Sequence, residues 1–293
     1  MNLLPKKIYY YITHKCNLLC NYCYRKSDNN GDELDLLHIA DFIRFIKNKD
    51  CELRITGGEP TTHKNFKDVI QQLQENAINF TLQTNGYWSD DILNILSGIQ
   101  NLKIRISPKY YEIDNGRKIY NLIYKNVERL KNSNKSAHIE ICFVVTKRSL
   151  NKTKNLVRDY KSIGINYFNF IPLYPVVRDQ RIIDDVLGGF NDNENFKKLI
   201  TSLKLKSYYN GYCLAGIEWC NLDFDIIKNQ YLMYACSFIG DIYNNYTQDN
   251  YCIAGVFDLS TPNQIEDIWQ DDEKWAYFRG GEQGVCIYNR AVE

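Results

Sequence analysis

The sequence predicts an α/β fold built on a parallel sheet, followed by a small cysteine-rich α+β region with a β-hairpin. Three observations carry that expectation. Strand-like and helix-like segments alternate as six β/α units over roughly the first 170 residues, and a parallel connection needs a crossover of about a dozen residues or more. Polar or glycine-containing clusters stand directly after several of the strands, where ligands bind in such sheets. Beyond residue 176 the composition shifts, and Cys213, Cys220, Cys236, Cys252 and Cys286 fall among hairpin-like segments.

The elements follow in order. Residues 7–12 (KIYYYI) are β-branched and aromatic, and run into a cysteine-rich loop over 16–24. Leu36, Ile39, Phe42, Ile43 and Ile46 recur at three- and four-residue spacing, which makes one apolar helical face. Residues 52–56 (ELRIT) form a short strand ending in Gly57-Gly58, and Phe66, Val69, Ile70 and Leu73 mark the next helix. A strand over 79–83 meets the turn signal Asn85-Gly86. Ser89-Asp90-Asp91 can cap a helix that stops before Gly98. Strands over 102–106, 138–145 and 165–171 are separated by helical patterns over 119–130 and 150–163. Residues 176–210 read as a connector with a helix over 196–203; residues 221–227 and 231–235 read as the two strands of a hairpin. The expected organisation is a barrel-like domain over 1–175, that connector, and a cysteine-rich domain over 211–293.

Composition narrows the function. With 44% hydrophobic and 24% charged residues the chain has a globular balance, and 36 Lys+Arg against 35 Asp+Glu, well dispersed, make no case for nucleic acid or an anionic membrane. No secretory apolar region opens the chain and nowhere do about 18 apolar residues run together, so a cytoplasmic location is expected. The 14% of aromatic residues are scattered through strands and helices and read as packing. Ten cysteines in a reducing compartment need an explanation other than disulfides, and metal is the first candidate.

Cys16, Cys20 and Cys23 stand as C-x3-C-x2-C. Thiolates so close on one loop can face a single centre, and sulfur selects zinc, copper(I) or iron–sulfur. A structural zinc site wants four closed ligands, with His14 the nearby candidate, whereas three cysteines on a [4Fe–4S] cube leave one iron open. This spacing, with Gly57-Gly58-Glu59-Pro60 after the next strand, resembles the radical S-adenosylmethionine superfamily over the first 175 residues or so.

The resemblance implies a partial (β/α)6 barrel, a [4Fe–4S] cluster on Cys16, Cys20 and Cys23, and bound S-adenosylmethionine. Tyr22 matches the aromatic residue at the adenine. Gly57, Gly58, Glu59 and Pro60 match the segment that binds the cofactor's methionine amino group, where glycines permit close approach and a carboxylate can accept from an ammonium. Thr84, Asn85 and Gly86 match the polar strand end near the cofactor, and Ser107 the ribose-binding serine, with Asn151 and Phe170-Ile171-Pro172 as weaker matches. Ser107-Pro108-Lys109 stands where an Asp and Gly usually follow the serine, a departure shared with the 7-carboxy-7-deazaguanine synthases.

The C-terminal cysteines resemble the auxiliary-cluster extensions called SPASM and twitch domains. By that likeness Cys220, Cys236 and Cys252, with Cys213 or Cys286 as the fourth ligand, hold a second [4Fe–4S] cluster; buried reduced thiols or a zinc knuckle are the alternatives. Tyr231 replaces the usual hairpin glycine and a trailing C-x2-C is absent. Cys51 and Cys142 read as core residues, which leaves one spare thiol, either inert or a hydrogen-atom donor. The likeness implies reductive cleavage of S-adenosylmethionine and hydrogen abstraction from a substrate. That substrate is a ribosomally made peptide to be crosslinked or epimerised, or a small natural product such as an aminoglycoside to be dehydrogenated or epimerised. An electron donor such as flavodoxin or ferredoxin is expected. The non-enzymatic alternative is an iron–sulfur electron carrier. Because the motif begins at residue 16, no leader-peptide-binding domain is expected ahead of it.

Overall fold

The computed structural model describes residues 4–20, 22–23, 25–109, 116–145, 150–172, 219–225, 229–234 and 256–271. In chain order its elements are β1 (Lys7–Thr13), α1 (Leu36–Ile46), β2 (Glu52–Gly57), a 3-10 turn (Pro60–Thr62), α2 (Phe66–Glu75), β3 (Phe80–Thr84), α3 (Asp90–Ser97), β4 (Lys103–Ile106), α4 (Gly116–Ser133), β5 (His138–Val145), α5 (Leu150–Ser162), β6 (Tyr167–Pro172), β7 (Trp219–Asp225), β8 (Gln230–Tyr234), β9 (Val256–Leu259) and α6 (Gln264–Gln270). The fold is α/β: β1 to β6 run parallel in an open sheet with helices in the crossovers, the succession of a partial (β/α)6 barrel. Every element expected up to residue 172 forms, with ends shifted by a few residues. The expected connector over 176–210 and its helix lie outside the described residues.

Two compact units divide the chain. The first is Met1–Lys15, Asn30–Phe80 and Asn210–Glu293. In it β1 pairs in parallel with β2 on one side and with β7 on the other, and β7, β8 and β9 follow as an antiparallel meander. Strand side chains alternate between faces, so Ile8, Tyr10 and Ile12 of β1 share a buried face, as Leu53 and Ile55 of β2 do. Cys220 and Leu222 of β7, in register with Ile8 and Tyr10, continue it. Helix α1 starts at Asp35, whose carboxylate accepts from the Leu37 N–H, and buries Ile39, Phe42, Ile43 and Ile46. The Phe42 ring lies 4.4 Å from that of Tyr10 between centroids. Each such large apolar side chain stabilises the fold by roughly 1.5–3 kcal/mol relative to exposure.

The expected hairpin forms as β7 and β8, with Asn221 opposite Tyr234 and Asp225 opposite Gln230. Tyr231, which stands where the resemblance expects a glycine, is buried, and its hydroxyl donates to the His38 carbonyl of α1 at 3.0 Å. That bond docks the hairpin onto the first helix.

The second unit is Cys16–Asn29 and Thr81–Tyr209. Here β3, β4, β5 and β6 run parallel as successive neighbours. Ile104, Ile106, Ile139, Ile141 and Phe143 are buried, as are Ile123, Val127 and Leu130 of α4 and Leu156, Val157 and Tyr160 of α5. The Tyr160 ring sits 6.0 Å from Phe143 and 6.1 Å, edge-on, from Tyr120. Lys103 and Arg105 of β4 and His138 and Glu140 of β5 take alternate positions, and Arg105 pairs with Glu140 at 3.0 Å. Among the described residues no helix is long and apolar enough to cross a membrane.

Candidate functional site

The chain leaves β1 into the cysteine loop. In the second unit the loop is closed by the Cys16 N–H donating to the Asp28 carbonyl at 2.7 Å and by a tight turn in which the Cys23 N–H donates to the Cys20 carbonyl at 3.1 Å. Cys16 is buried, and Cys20 and Cys23 are partly exposed. Burial pushes the Cys20 thiol up to about 12; Lys109 pulls it down, and Cys23 and Cys16 push it further up. The three sulfurs therefore feel one another. Tyr22 forms a hydrogen bond with Cys20 from the same loop.

Two strand ends hold this loop. After β3, the Asn85 amide donates to Asn17 Oδ1 at 2.7 Å and approaches Cys16 Sγ at 3.9 Å, while its own Oδ1 accepts from the Tyr87 N–H at 2.8 Å. Asn17 in turn donates to the Tyr87 carbonyl at 2.9 Å. After β4, the Ser107 N–H donates to the Thr84 carbonyl at 2.8 Å, and the buried Lys109 ammonium donates to the Leu19 carbonyl at 3.2 Å. Thr84 turns inward: its hydroxyl accepts from the Gly86 N–H and from Trp88 Nε1. Asn126 of α4 donates to the Gly86 and Trp88 carbonyls, which fixes the same turn. Ser107 is exposed and its hydroxyl bonds the buried Cys142 thiol, which burial pushes up to about 11 against the nearby Arg105 charge. Asn151 lies in the first turn of α5 and Pro172 ends β6.

In the first unit, Gly57-Gly58-Glu59-Pro60 folds against the end of β1. The Gly58 N–H donates to the Thr13 carbonyl at 2.8 Å and the Glu59 N–H to the Lys15 carbonyl at 2.7 Å. Lys15 is the residue before Cys16 in the chain. Gly57 has φ +148, and a Cβ there would lie 2.2 Å from the Thr13 oxygen; at Gly58 a Cβ would lie 2.2 Å from the Lys15 oxygen. The close approach these glycines allow in the structure is to the protein's own backbone. Glu59 is fully buried, and its Oε1 caps the 3-10 turn by accepting from the Thr61 N–H at 3.1 Å and the Thr61 hydroxyl at 2.6 Å.

Sequence reasoning missed the clamp beside this segment. Glu33 accepts from the Lys15 ammonium and from the Lys64 N–H, both at 2.9 Å. Burial would raise its carboxyl, but these two bonds outweigh it and hold the group below the usual carboxylate range. Buried His63 accepts at Nδ1 from the Asn65 N–H at 3.1 Å, and its Nε2 hydrogen-bonds the Leu34 carbonyl at 2.8 Å. No local pattern announces such a clamp, because its members are ordinary loop residues.

Of the proposed auxiliary ligands, Cys213, Cys236, Cys252 and Cys286 lie outside the described residues. Cys220 lies inside β7, fully buried, and its thiol is raised by burial and then by neighbouring Cys51. Cys51 is itself pushed up to about 12, by burial first and then by Glu52 and Asp50.

Among the described residues no three His, Cys, Asp or Glu side chains gather closely enough for a single metal ion. A cube-shaped cluster asks for something different, since each sulfur binds its own iron. Cys16, Cys20 and Cys23 stand on one loop whose backbone the buried Lys109 ammonium bonds, and they are the residues that would hold such a cluster.

Residues 10–187 match the family described as the Radical SAM superfamily. The chain belongs to the radical SAM superfamily. Membership implies an enzyme with a [4Fe–4S] cluster and S-adenosylmethionine. This radical SAM chain is similar to a probable GTP 3',8-cyclase of Sulfolobus acidocaldarius, 26% identical over 56% of this chain and 55% of the relative. It also resembles the GTP 3',8-cyclase of Haemophilus ducreyi, 32% identical over 40% of this chain and 38% of the relative. The radical SAM chain thus spans about half the length, or less, of these curated relatives. Among solved structures it is similar to SuiB of Streptococcus suis, bound to S-adenosylmethionine, with TM-score 0.69 and 16% identity over 99% of this chain and 75% of that one. SuiB bound to its precursor peptide SuiA gives 0.67 at the same identity, over 99% and 73%. At that identity the likeness establishes the fold.

Proposed function

We propose that the chain cleaves S-adenosylmethionine reductively and takes a hydrogen atom from its substrate, with the cluster held by Cys16, Cys20 and Cys23. The carrying observation is the three-thiol loop braced by Asn85 and Lys109. Held there, a reduced cluster would supply one electron to break the C5'–sulfonium bond of S-adenosylmethionine, giving methionine and a 5'-deoxyadenosyl radical that would take the substrate hydrogen atom. The chain's residues do the holding. Asn85 and Lys109 fix the loop, Tyr22 and Ser107 meet the adenosine, and the Gly57 to Pro60 segment receives the methionine end. Glu59 is committed through Oε1 to its cap, so the backbone of that segment is the first candidate for the contact. A one-electron donor of the flavodoxin or ferredoxin class supplies the reducing equivalent, in a cytoplasmic setting. A Cys20→Ala variant should form no 5'-deoxyadenosine; if formation survives, the assignment fails.

The domain reading remains 1–175 for the barrel, 176–210 for the connector and 211–293 for a SPASM- or twitch-like extension. In it Cys220, Cys236 and Cys252, with Cys213 or Cys286, hold a second cluster. Formation of the β7–β8 hairpin supports that reading. The proposed substrate is a ribosomally made peptide, to be crosslinked or epimerised, and the fold shared with peptide-bound SuiB supports it. The second reading is a small molecule, and the relatives named GTP 3',8-cyclase favour a nucleotide within that class. A mass change in a co-expressed peptide supports the first; consumption of GTP with formation of 5'-deoxyadenosine supports the second.

A further inference from the structure

We propose that Lys109 is a positioning residue for the three-cysteine loop, which it pins by its path and tunes by its charge. Its ammonium donates to the carbonyl of Leu19, the residue before Cys20, at 3.2 Å, which sets a buried positive charge one residue from the second cysteine of the loop. The inference rests on the assignment of the cluster to Cys16, Cys20 and Cys23.

Three features of the chain aim this side chain. The Ser107 N–H is tied to the Thr84 carbonyl, so the exit from β4 is fixed. Pro108 follows, is buried, and locks its own φ near −65°. Lys109 is then 4% exposed, so its charge acts through protein and not through water. Charges interact several times more strongly in such surroundings than in bulk solvent. The Leu19 carbonyl orients the ammonium, and the turn after β4 and the cysteine loop become one mechanical piece.

The electrostatic consequence follows from charge balance. Three thiolates and a cube in its resting state sum to one negative charge. One electron arriving from an iron–sulfur or flavin donor makes it two, with no proton taken up. A fixed positive charge beside Cys20 stabilises the second state more than the first, so Lys109 raises the reduction potential of a cluster held there. Net charge and hydrogen bonding around the sulfurs are established controls on that potential. The position that departs from the usual Asp-Gly after the serine thereby carries a function of its own.

The test uses the full chain, reconstituted anaerobically with iron and sulfide, in Lys109→Gln and Lys109→Arg. Gln keeps an N–H donor for the Leu19 carbonyl and removes the charge; Arg keeps the charge. Iron content and the midpoint potential from an EPR-monitored titration are read. The expected result is a more negative midpoint in Lys109→Gln and a midpoint close to wild type in Lys109→Arg. Loss of iron in the Gln variant alone also supports the charge. An unchanged midpoint in Lys109→Gln, equal shifts in both variants, or loss of iron in both with circular dichroism intact overturns the proposal and leaves Lys109 a steric peg. Full iron and an unchanged EPR signal in a Cys20→Ala control would instead defeat the underlying cluster assignment, whatever Lys109 does.

Discussion

The side-chain amide of Asn85 donates to that of Asn17 at 2.7 Å, and each amide also bonds the backbone of Tyr87. Asn17 follows Cys16 directly, so the end of β3 grips the cysteine loop at its first cysteine. Asn85→Ala removes two of these bonds at once, and with them the approach to Cys16 Sγ. A net loss of about 0.5–1.5 kcal/mol per hydrogen bond is typical, and here it falls on the loop more than on the sheet. The expected outcome is faster loss of iron to a chelator with only a small fall in the thermal midpoint, read by chelation kinetics and calorimetry.

Gly58→Ala places a methyl group 2.2 Å from the Lys15 carbonyl oxygen. Backbone cannot give way cheaply there, and overpacking costs about 1–3 kcal/mol or more. Gly98→Ala is the matched control. Its nearest neighbour would be the Ile95 oxygen at 3.5 Å and its φ is −83, so an effect near zero or a gain of about 0.4–1 kcal/mol is expected. Urea denaturation of the two variants checks the contrast.

Glu33 should impose a pH dependence. Its folded carboxyl is held below the usual range, and an unfolded glutamate titrates near about 4.3. A depressed folded value means the contribution is complete above the unfolded value and is lost as pH falls through the folded one. Glu33→Gln should therefore lower the urea midpoint at neutral pH, and the wild-type and variant curves should converge as pH falls below about 4. Parallel curves down to the acid limit would refute this.

Tyr231→Phe keeps the ring and removes the donor to the His38 carbonyl. A loss of about 0.5–1.5 kcal/mol is expected, with earlier hydrogen exchange at the amides of β8 than at those of β5.

Cys220→Ala separates two roles for one thiol. If Cys220 is an auxiliary ligand, reconstituted iron should fall from about eight per chain to about four, with the S-adenosylmethionine cluster retained. If it packs beside Cys51 and serves no cluster, iron should be unchanged and stability lower.

Local pattern made much of this legible. Helices α1 and α2 could be read because their apolar faces are written at three- and four-residue spacing, and α3 because its start and stop are local, Ser89 capping it through the Ile92 N–H. The cysteine loop and the segment after β2 could be read because ligand spacing and paired glycines are local too. Lys109 was visible as a departure from pattern, but its target, the Leu19 carbonyl, lies ninety residues away in the chain. Glu33, Lys15 and Lys64 show no periodicity, and their convergence is a property of the folded backbone. The partner of β7 was likewise illegible, since a strand's sequence tells its faces and not its neighbour.

That neighbour matters for the birth of the protein. Lys7 pairs with Trp219 and Tyr10 with Leu222, so β1 leaves the ribosome about 210 residues ahead of the strand that closes its open edge. At about 5–20 residues per second the delay is on the order of ten to forty seconds. Throughout it β1 presents unpaired backbone with aromatic flanks, the kind of edge that recruits other chains. A nascent chain stalled short of residue 219 should therefore be a strong chaperone client, and release of full-length protein should end that dependence.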